Sequence, residues 1–183
     1  MRDIILKAAA EKIQHYGLRK FTMDEIAEEL KISKKTLYKY FSGKDEIIHE
    51  YFTEIVESDM KSTEEALKES VTLEHKLNAI IYSYHKYKLP RHVYEEANKF
   101  YKKELEEVQK LKNYKLRLIY DILKEAVVEG DVKKDIDFDI VALMLENTVD
   151  TLFSYEFLSN STMTIQEATD KAIKIILHGI IEN

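Results

Sequence analysis

The chain contains very few residues that interrupt a helix or form a tight turn. Its 183 residues include four glycines and one proline. Sheet proteins need turn residues about every ten positions, and this composition does not supply them. Hydrophobic residues make up 45% of the sequence, which is enough for a packed core. The sequence therefore predicts an all-α fold.

Cysteine is absent, which excludes disulfides, thiolate zinc sites and cysteine nucleophiles and suits a reducing compartment. The longest apolar run, residues 140–145, is six residues long, whereas a membrane helix requires about 20. Lys7, Glu11 and Lys12 stand where a signal peptide would have an apolar core. We expect a cytoplasmic protein that does not contact a membrane.

Capping residues mark the starts of successive helices. Thr22 and Glu25 have the spacing of a capping box, in which each residue satisfies an amide of the other. Ser33 can cap a third helix, and Ser42 with Asp45 repeats the pattern for a fourth.

Glycine and proline mark the ends. Gly17 and Gly130 each follow an apolar stripe with helical spacing, as C-cap glycines do, and Pro90 interrupts the chain between them. The pattern predicts a three-helix head in residues 1–48 and an antiparallel helical bundle in residues 49–183.

Residues 22–44 have the order of a helix-turn-helix motif: a helix, a turn of about three residues, and a short second helix. In that motif the second helix inserts its first residues into the DNA major groove. Here those residues are Lys34, Lys35 and Thr36. Lysine can donate to guanine O6 and N7, and threonine can contact a base edge or a thymine methyl group.

The strings at residues 21–27, 32–41 and 44–47 make the sequence similar to the TetR family of bacterial transcriptional regulators, most specifically through Thr-Leu-Tyr-Lys-Tyr-Phe at 36–41. The resemblance covers roughly residues 4–50. It implies three DNA-binding helices and a helical body that dimerises and usually holds a small ligand. It also implies two sets of DNA contacts, to phosphates from Thr22, Tyr40 and Lys44, and in the groove from Lys34, Lys35, Thr36 and Tyr38. Lys31 and Lys35 depart from the family pattern, because a glycine and a small residue often stand there.

The net charge of −6 is unevenly distributed. Residues 1–50 carry ten basic and nine acidic side chains, while residues 51–183 carry 18 and 25. Five lysines and no acid lie between Lys31 and Lys44. A local basic patch suits the DNA backbone, although such patches are often only solvated faces.

An enzyme has little support in the sequence. A di-iron bundle needs two Glu-x-x-His units, and Glu46-Ile-Ile-His49 stands alone. The six histidines lack ligand spacing, and we expect neither a metal nor a cofactor. A helical adaptor protein without DNA binding is the alternative interpretation.

The acidic body is where a small-molecule effector would bind. An apolar cavity with a few polar groups is the usual form of a ligand site. The candidate lining residues, any of which can equally be ordinary core or surface, are Tyr82, His85, Tyr101, Tyr114, Tyr120, Asn147 and Phe153. The identity of the effector does not follow from them.

The last two helices are the candidate dimer interface. The helix near residues 141–158 is apolar nearly all round, and seven of the ten residues 172–181 are apolar. One core needs only one apolar face, so the other requires a partner. We expect a two-fold homodimer and hence an inverted-repeat operator.

Overall fold

The structure is a computed structural model, and it describes residues 1–81, 83, 86–133, 135–152, 163 and 165–180. The elements of these residues are α1 (Arg2–Tyr16), α2 (Met23–Glu29), α3 (Lys34–Leu37), α4 (Lys44–Glu69), α5 (Leu73–Ile81), α6 (Arg91–Phe100), α7 (Lys102–Glu129), α8 (Phe138–Leu152) and α9 (Ile165–Ile180). All of them are α-helices, so the predicted fold class is confirmed.

The chain divides into two compact units. The amino-terminal unit contains the described residues of 1–68 and 82–112, and the carboxy-terminal unit contains those of 69–81 and 113–183. The two units are defined by how compactly their residues pack, and the functional boundary after residue 48 stays a prediction.

The amino-terminal unit is built around one hydrophobic core. Helices α1 to α4 and the segment between α3 and α4 contribute fully buried side chains that include Ile5, Leu6, Ile13, Ile26, Leu37, Phe41, Ile47 and Ile48. Helix α6 adds Val93 and Ala97 to the same core, and both have no exposed surface. The three short helices of the head are therefore packed together with α4 and α6.

The end of α1 follows from its glycine. Gly17 has φ 97°, a left-handed conformation that glycine adopts without steric cost, and its amide donates to the Ile13 carbonyl at 2.8 Å. A Cβ added at Gly17 would lie 2.8 Å from a carboxylate oxygen of Glu96. The predicted glycine C-cap is confirmed, and Gly130 likewise follows α7 with φ 90°.

The start of α4 differs in detail from the expectation. The amide and the hydroxyl of Ser42 donate to Glu46 Oε2 at 2.6 and 2.8 Å, so the acid that satisfies Ser42 is Glu46 and not Asp45. The Ser42 amide is the largest of several causes that lower the pKa of Glu46 to about 2.

In the carboxy-terminal unit, α8 packs against α9. Thr72 caps α5 by accepting a hydrogen bond from the His75 amide at 3.2 Å. Residues 153–158 of the helix predicted near residues 141–158 lie outside the described residues.

Candidate DNA-binding site

Helix α2 begins at a complete capping box. Thr22 Oγ1 accepts from the Glu25 amide at 3.2 Å, and Glu25 Oε2 accepts from the Thr22 amide at 2.7 Å. The Thr22 hydroxyl also bonds to the same carboxylate, which lowers the pKa of Glu25. Thr22 is exposed, but its single O–H donor is bonded to Glu25, so a phosphate contact from this hydroxyl would have to replace that bond.

The turn between α2 and α3 contains an unusual backbone conformation. Lys31 has φ 53°, the left-handed region that disfavours residues with a Cβ. Its amide donates to the Glu28 carbonyl, and the next amide donates to the Ala27 carbonyl, both at 3.0 Å. The turn thus has the left-handed backbone conformation that glycine adopts in many such motifs, although lysine occupies the position here.

Helix α3 is short, and it is held by a serine cap and by one buried leucine. Ser33 Oγ accepts from the Thr36 amide at 3.0 Å and lies 2.8 Å from Thr36 Oγ1. Leu37 is completely buried in the core. The Lys35 and Tyr38 side chains lie exposed, Tyr38 at 51%. One face of α3 fixes the helix, and the remaining surface is available to a partner.

Lys34, at the first position of α3, is paired with an acid of α2. Its Nζ lies 2.6 Å from Asp24 Oδ2, and the two side chains are 64% and 63% exposed. The Asp24 carboxylate raises the pKa of Lys34. Within the described part of the chain, Lys35 has no such ion pair.

Lys44 points back into the head. Its Nζ donates to the carbonyls of Arg19 and Phe21, each at 2.7 Å, and lies 4.3 Å from the centre of the Phe21 ring. Burial lowers the pKa of this ammonium group. Two of its three donors therefore hold the segment between α1 and α2.

Arg2 fixes the other end of the α3 region, a role that the sequence pattern did not reveal. Its Nη1 donates to the Tyr40 carbonyl, and its guanidinium lies 4.1 Å from the centre of the Phe41 ring. Nε lies 2.8 Å from Glu50 Oε1, and Nη2 lies 2.9 Å from Glu46 Oε1. Both carboxylates raise the pKa of Arg2. One side chain thus joins α1, α4 and the segment that carries Tyr40, which is itself 37% exposed.

The residues predicted to line an effector site are distributed over both compact units and the residues outside the description. Tyr82, His85 and Phe153 lie outside the described residues. Tyr101 belongs to the amino-terminal unit, where it packs against the hydrophobic core and burial raises its pKa.

The other three candidates belong to the carboxy-terminal unit. Tyr114 and Tyr120 are half-buried, and the Tyr120 ring centre lies 4.6 Å from Lys124 Nζ. Asn147 is exposed, and its side-chain amide donates to the Leu143 carbonyl at 2.8 Å. Their role in binding an effector stays a prediction.

Two other kinds of feature are absent from the described residues. They contain no group of three His, Cys, Asp or Glu side chains placed to hold a metal ion. No helix among them is long and apolar enough to cross a membrane.

A capped α2, a tight turn, and a short α3 with exposed lysine and tyrosine side chains define a helix-turn-helix DNA-binding regulator. Residues 5–51 match the family described as "Bacterial regulatory proteins, tetR family". Its amino-terminal head therefore matches that family, and the chain is a DNA-binding transcriptional regulator similar to its members.

Relatives and solved structures extend the likeness to the whole chain. The fatty acid metabolism regulator protein of Bacillus subtilis is 23% identical over 96% of this chain and 93% of its own length. The transcriptional repressor KstR2 of Mycolicibacterium smegmatis is 21% identical over 100% of this chain and 91% of its own. The structure of FadR from Bacillus subtilis in complex with stearoyl-CoA has a TM-score of 0.63 and 18% identity, and covers 98% of this chain and 100% of that one.

Proposed function

We propose that the protein is a homodimeric repressor that binds an inverted-repeat operator through α3 and leaves it when a small molecule binds the body. The observation that carries the DNA-binding part is the two-sided character of α3. Leu37 anchors it in the core, while Lys35 and Tyr38 lie exposed beside Lys34. A repressor among the relatives supports the direction of regulation.

The DNA contacts in this proposal fall into two sets. Thr22, Tyr40 and Lys44 bind phosphates and set the position of the head. Lys34, Lys35, Thr36 and Tyr38 contact base edges in the major groove and determine the sequence. Thr36 is half-buried and its hydroxyl lies 2.8 Å from Ser33 Oγ, so the contact proposed for it is one from its methyl group to a thymine methyl.

The homodimer is proposed through α8 and α9. Apolar side chains stand exposed on these packed helices: Ile140, Leu143, Met144 and Ile175, the last at 74%. The α8 members are spaced by three and four residues and so share one face. In a two-fold dimer this surface meets its own copy.

The structure also selects the substitutions that test the dimer. A charge at Leu152 or Ile176, which lie in the same two helices, is a poor test, because these side chains are only 7% and 9% exposed within their own chain. A charge there would disturb folding, whereas Leu143→Arg or Ile175→Arg should give folded monomers in sedimentation at micromolar concentration. Val128→Arg is the control, since Val128 is an 88% exposed apolar residue on α7. A dimer that survives both substitutions would contradict the proposed interface.

Release by an effector requires that the ligand favour a state with lower operator affinity. Coupling of ordinary size is about 1–3 kcal/mol, or roughly 5- to 150-fold in affinity. Stearoyl-CoA is the first compound to test, because it is bound in one structural neighbour and a relative regulates fatty acid metabolism. Unchanged operator affinity with stearoyl-CoA would exclude that effector.

The DNA-binding proposal is tested by selection from a random-sequence duplex library with the purified full chain. We expect an enriched inverted repeat whose half-sites bind one protomer each. Enrichment of duplexes without any common motif would contradict sequence-specific binding.

A further inference from the structure

The ion pair between Asp24 and Lys34 stands on the surface that the proposed function assigns to DNA. An acid is unexpected there, because a carboxylate near phosphates weakens binding by charge repulsion. Its partner Lys34 is the first residue of α3, and the two groups are 2.6 Å apart with more than half of each side chain exposed. The pair therefore presents a hydrogen-bond donor and an acceptor side by side to any partner of α3.

We propose that Asp24 is a specificity-determining residue, and that the Asp24–Lys34 pair contacts one G·C base pair in each operator half-site. This inference rests on the proposed groove-reading role of Lys34. In the major groove, guanine presents the acceptors O6 and N7, and its paired cytosine presents the N4 amino donor. The lysine donates to the guanine edge, and the carboxylate accepts from the cytosine amine.

The number of donors favours G·C over A·T. An ammonium group has three donors, and one of them is bonded to Asp24. The two that are left match the two acceptors of guanine. Adenine has only N7 as an acceptor on this edge, with a donor beside it, so one lysine donor would stay unpaired.

The same carboxylate opposes binding to random DNA. It partly neutralises Lys34, which would otherwise add a full positive charge to the attraction for phosphates. The cognate base pair compensates by hydrogen-bonding the carboxylate, whereas a phosphate cannot. Asp24 thus lowers non-cognate affinity and leaves cognate affinity high.

The test repeats the selection from random duplexes with Asp24→Asn, Lys34→Ala and Glu28→Gln. Glu28→Gln is the matched control, because Glu28 is an exposed acid of the same helix whose side chain has no ion pair within the described residues. With the wild type and the control, we expect one position in each half-site where exchange of G·C for A·T costs about 5- to 150-fold in affinity. Asp24→Asn and Lys34→Ala should both lose that preference at this one position and keep the rest of the motif.

Asp24→Asn should also bind random duplex about fivefold more tightly than the wild type, as expected for removal of one nearby charge at low salt. A merely structural role for Asp24 would change the melting temperature and leave the base preference intact. The inference is overturned if Asp24→Asn keeps every base preference of the wild type, or if the position affected by Lys34→Ala is an A·T pair. Failure of the proposed function has a different signature, since the wild type would then select no inverted repeat.

Discussion

Lys44 has two roles that one substitution can separate. Its ammonium group donates to the carbonyls of Arg19 and Phe21 at 2.7 Å, and the proposed function adds a phosphate contact from its remaining donor. Lys44→Ala therefore changes both the free energy of unfolding and the DNA affinity. The two effects have different magnitudes and are measured by different assays.

The stability effect follows from the carbonyls that the substitution leaves behind. Arg19 is exposed, so water replaces the lysine at its carbonyl, whereas the bond to Phe21 is partly buried. One poorly satisfied carbonyl together with the lost charge-assisted bonds gives a loss of about 2 kcal/mol. For a chain of this size that corresponds to a decrease of roughly 4–8 °C in melting temperature.

The binding effect follows from counterion release. Loss of one phosphate contact should reduce the slope of log affinity against log salt by about 0.9, equally for operator and random duplex. The assays are thermal unfolding and fluorescence anisotropy over a salt series. Lys39→Ala is the control for stability, because Lys39 is an exposed lysine between Lys31 and Lys44 and its replacement should leave the free energy of unfolding unchanged.

Two separate results would contradict these two roles of Lys44. If Lys44→Ala melts within a degree of the wild type, the bonds to Arg19 and Phe21 do not stabilise the head. If the salt slope is unchanged while stability falls, Lys44 supports the fold and does not bind phosphate.

Three further predictions concern the stability of the head. Lys31→Gly should stabilise the protein by about 0.5–1 kcal/mol in urea unfolding, because φ 53° is strained for lysine and not for glycine; a loss of stability would show that the side chain has a compensating contact. Glu46→Gln should cost about 1 kcal/mol at pH 7 after allowance for solvent screening. The bond from the Ser42 amide is the largest of the causes that lower the pKa of Glu46 to about 2. The stabilisation of the fold by the ionised Glu46 carboxylate is therefore present above its unfolded pKa near 4.5 and is lost as the pH falls towards 2. If the cost of Glu46→Gln did not change between pH 7 and pH 3, the ionised carboxylate would not be the source of this stability. Gly17→Ala should cost more than about 1 kcal/mol in the same measurement, because φ 97° disfavours a Cβ and the Glu96 carboxylate must move away; a neutral substitution would contradict that.

The features that sequence reasoning predicted correctly depend on neighbouring residues. The capping box at Thr22, the glycine ends at Gly17 and Gly130, and the cap at Ser33 each involve residues within a few positions of one another. Such contacts can be inferred from spacing, because helix geometry fixes which groups meet.

The features that sequence reasoning missed depend on residues far apart in the chain. Arg2 reaches Tyr40 and Glu50, which are 38 and 48 positions away. No periodicity indicates such a contact, because it arises only when α1 and α4 pack together. The pairing of Asp24 with Lys34 across the turn was missed for a similar reason.

The division between α6 and α7 was also unforeseen. Tyr101 interrupts the helical path with φ −133° and ψ 53°, and neither glycine nor proline stands there. Helix propensity alone would have continued the helix through this position. The break is therefore set by tertiary packing, since Tyr101 lies against the core of the amino-terminal unit.

Recognition of a DNA sequence by the exposed face of α3 can be tested with the single substitution Lys35→Ala. Lys35 is exposed and has no ion pair within the described residues, so its removal should not disturb the fold. The measurement is competition binding of this variant to the selected operator and to random duplex at several salt concentrations. We predict a loss of about 1–3 kcal/mol on the operator with a much smaller loss on random duplex. An equal loss on both duplexes would contradict the claim, since Lys35 would then contribute only sequence-independent charge.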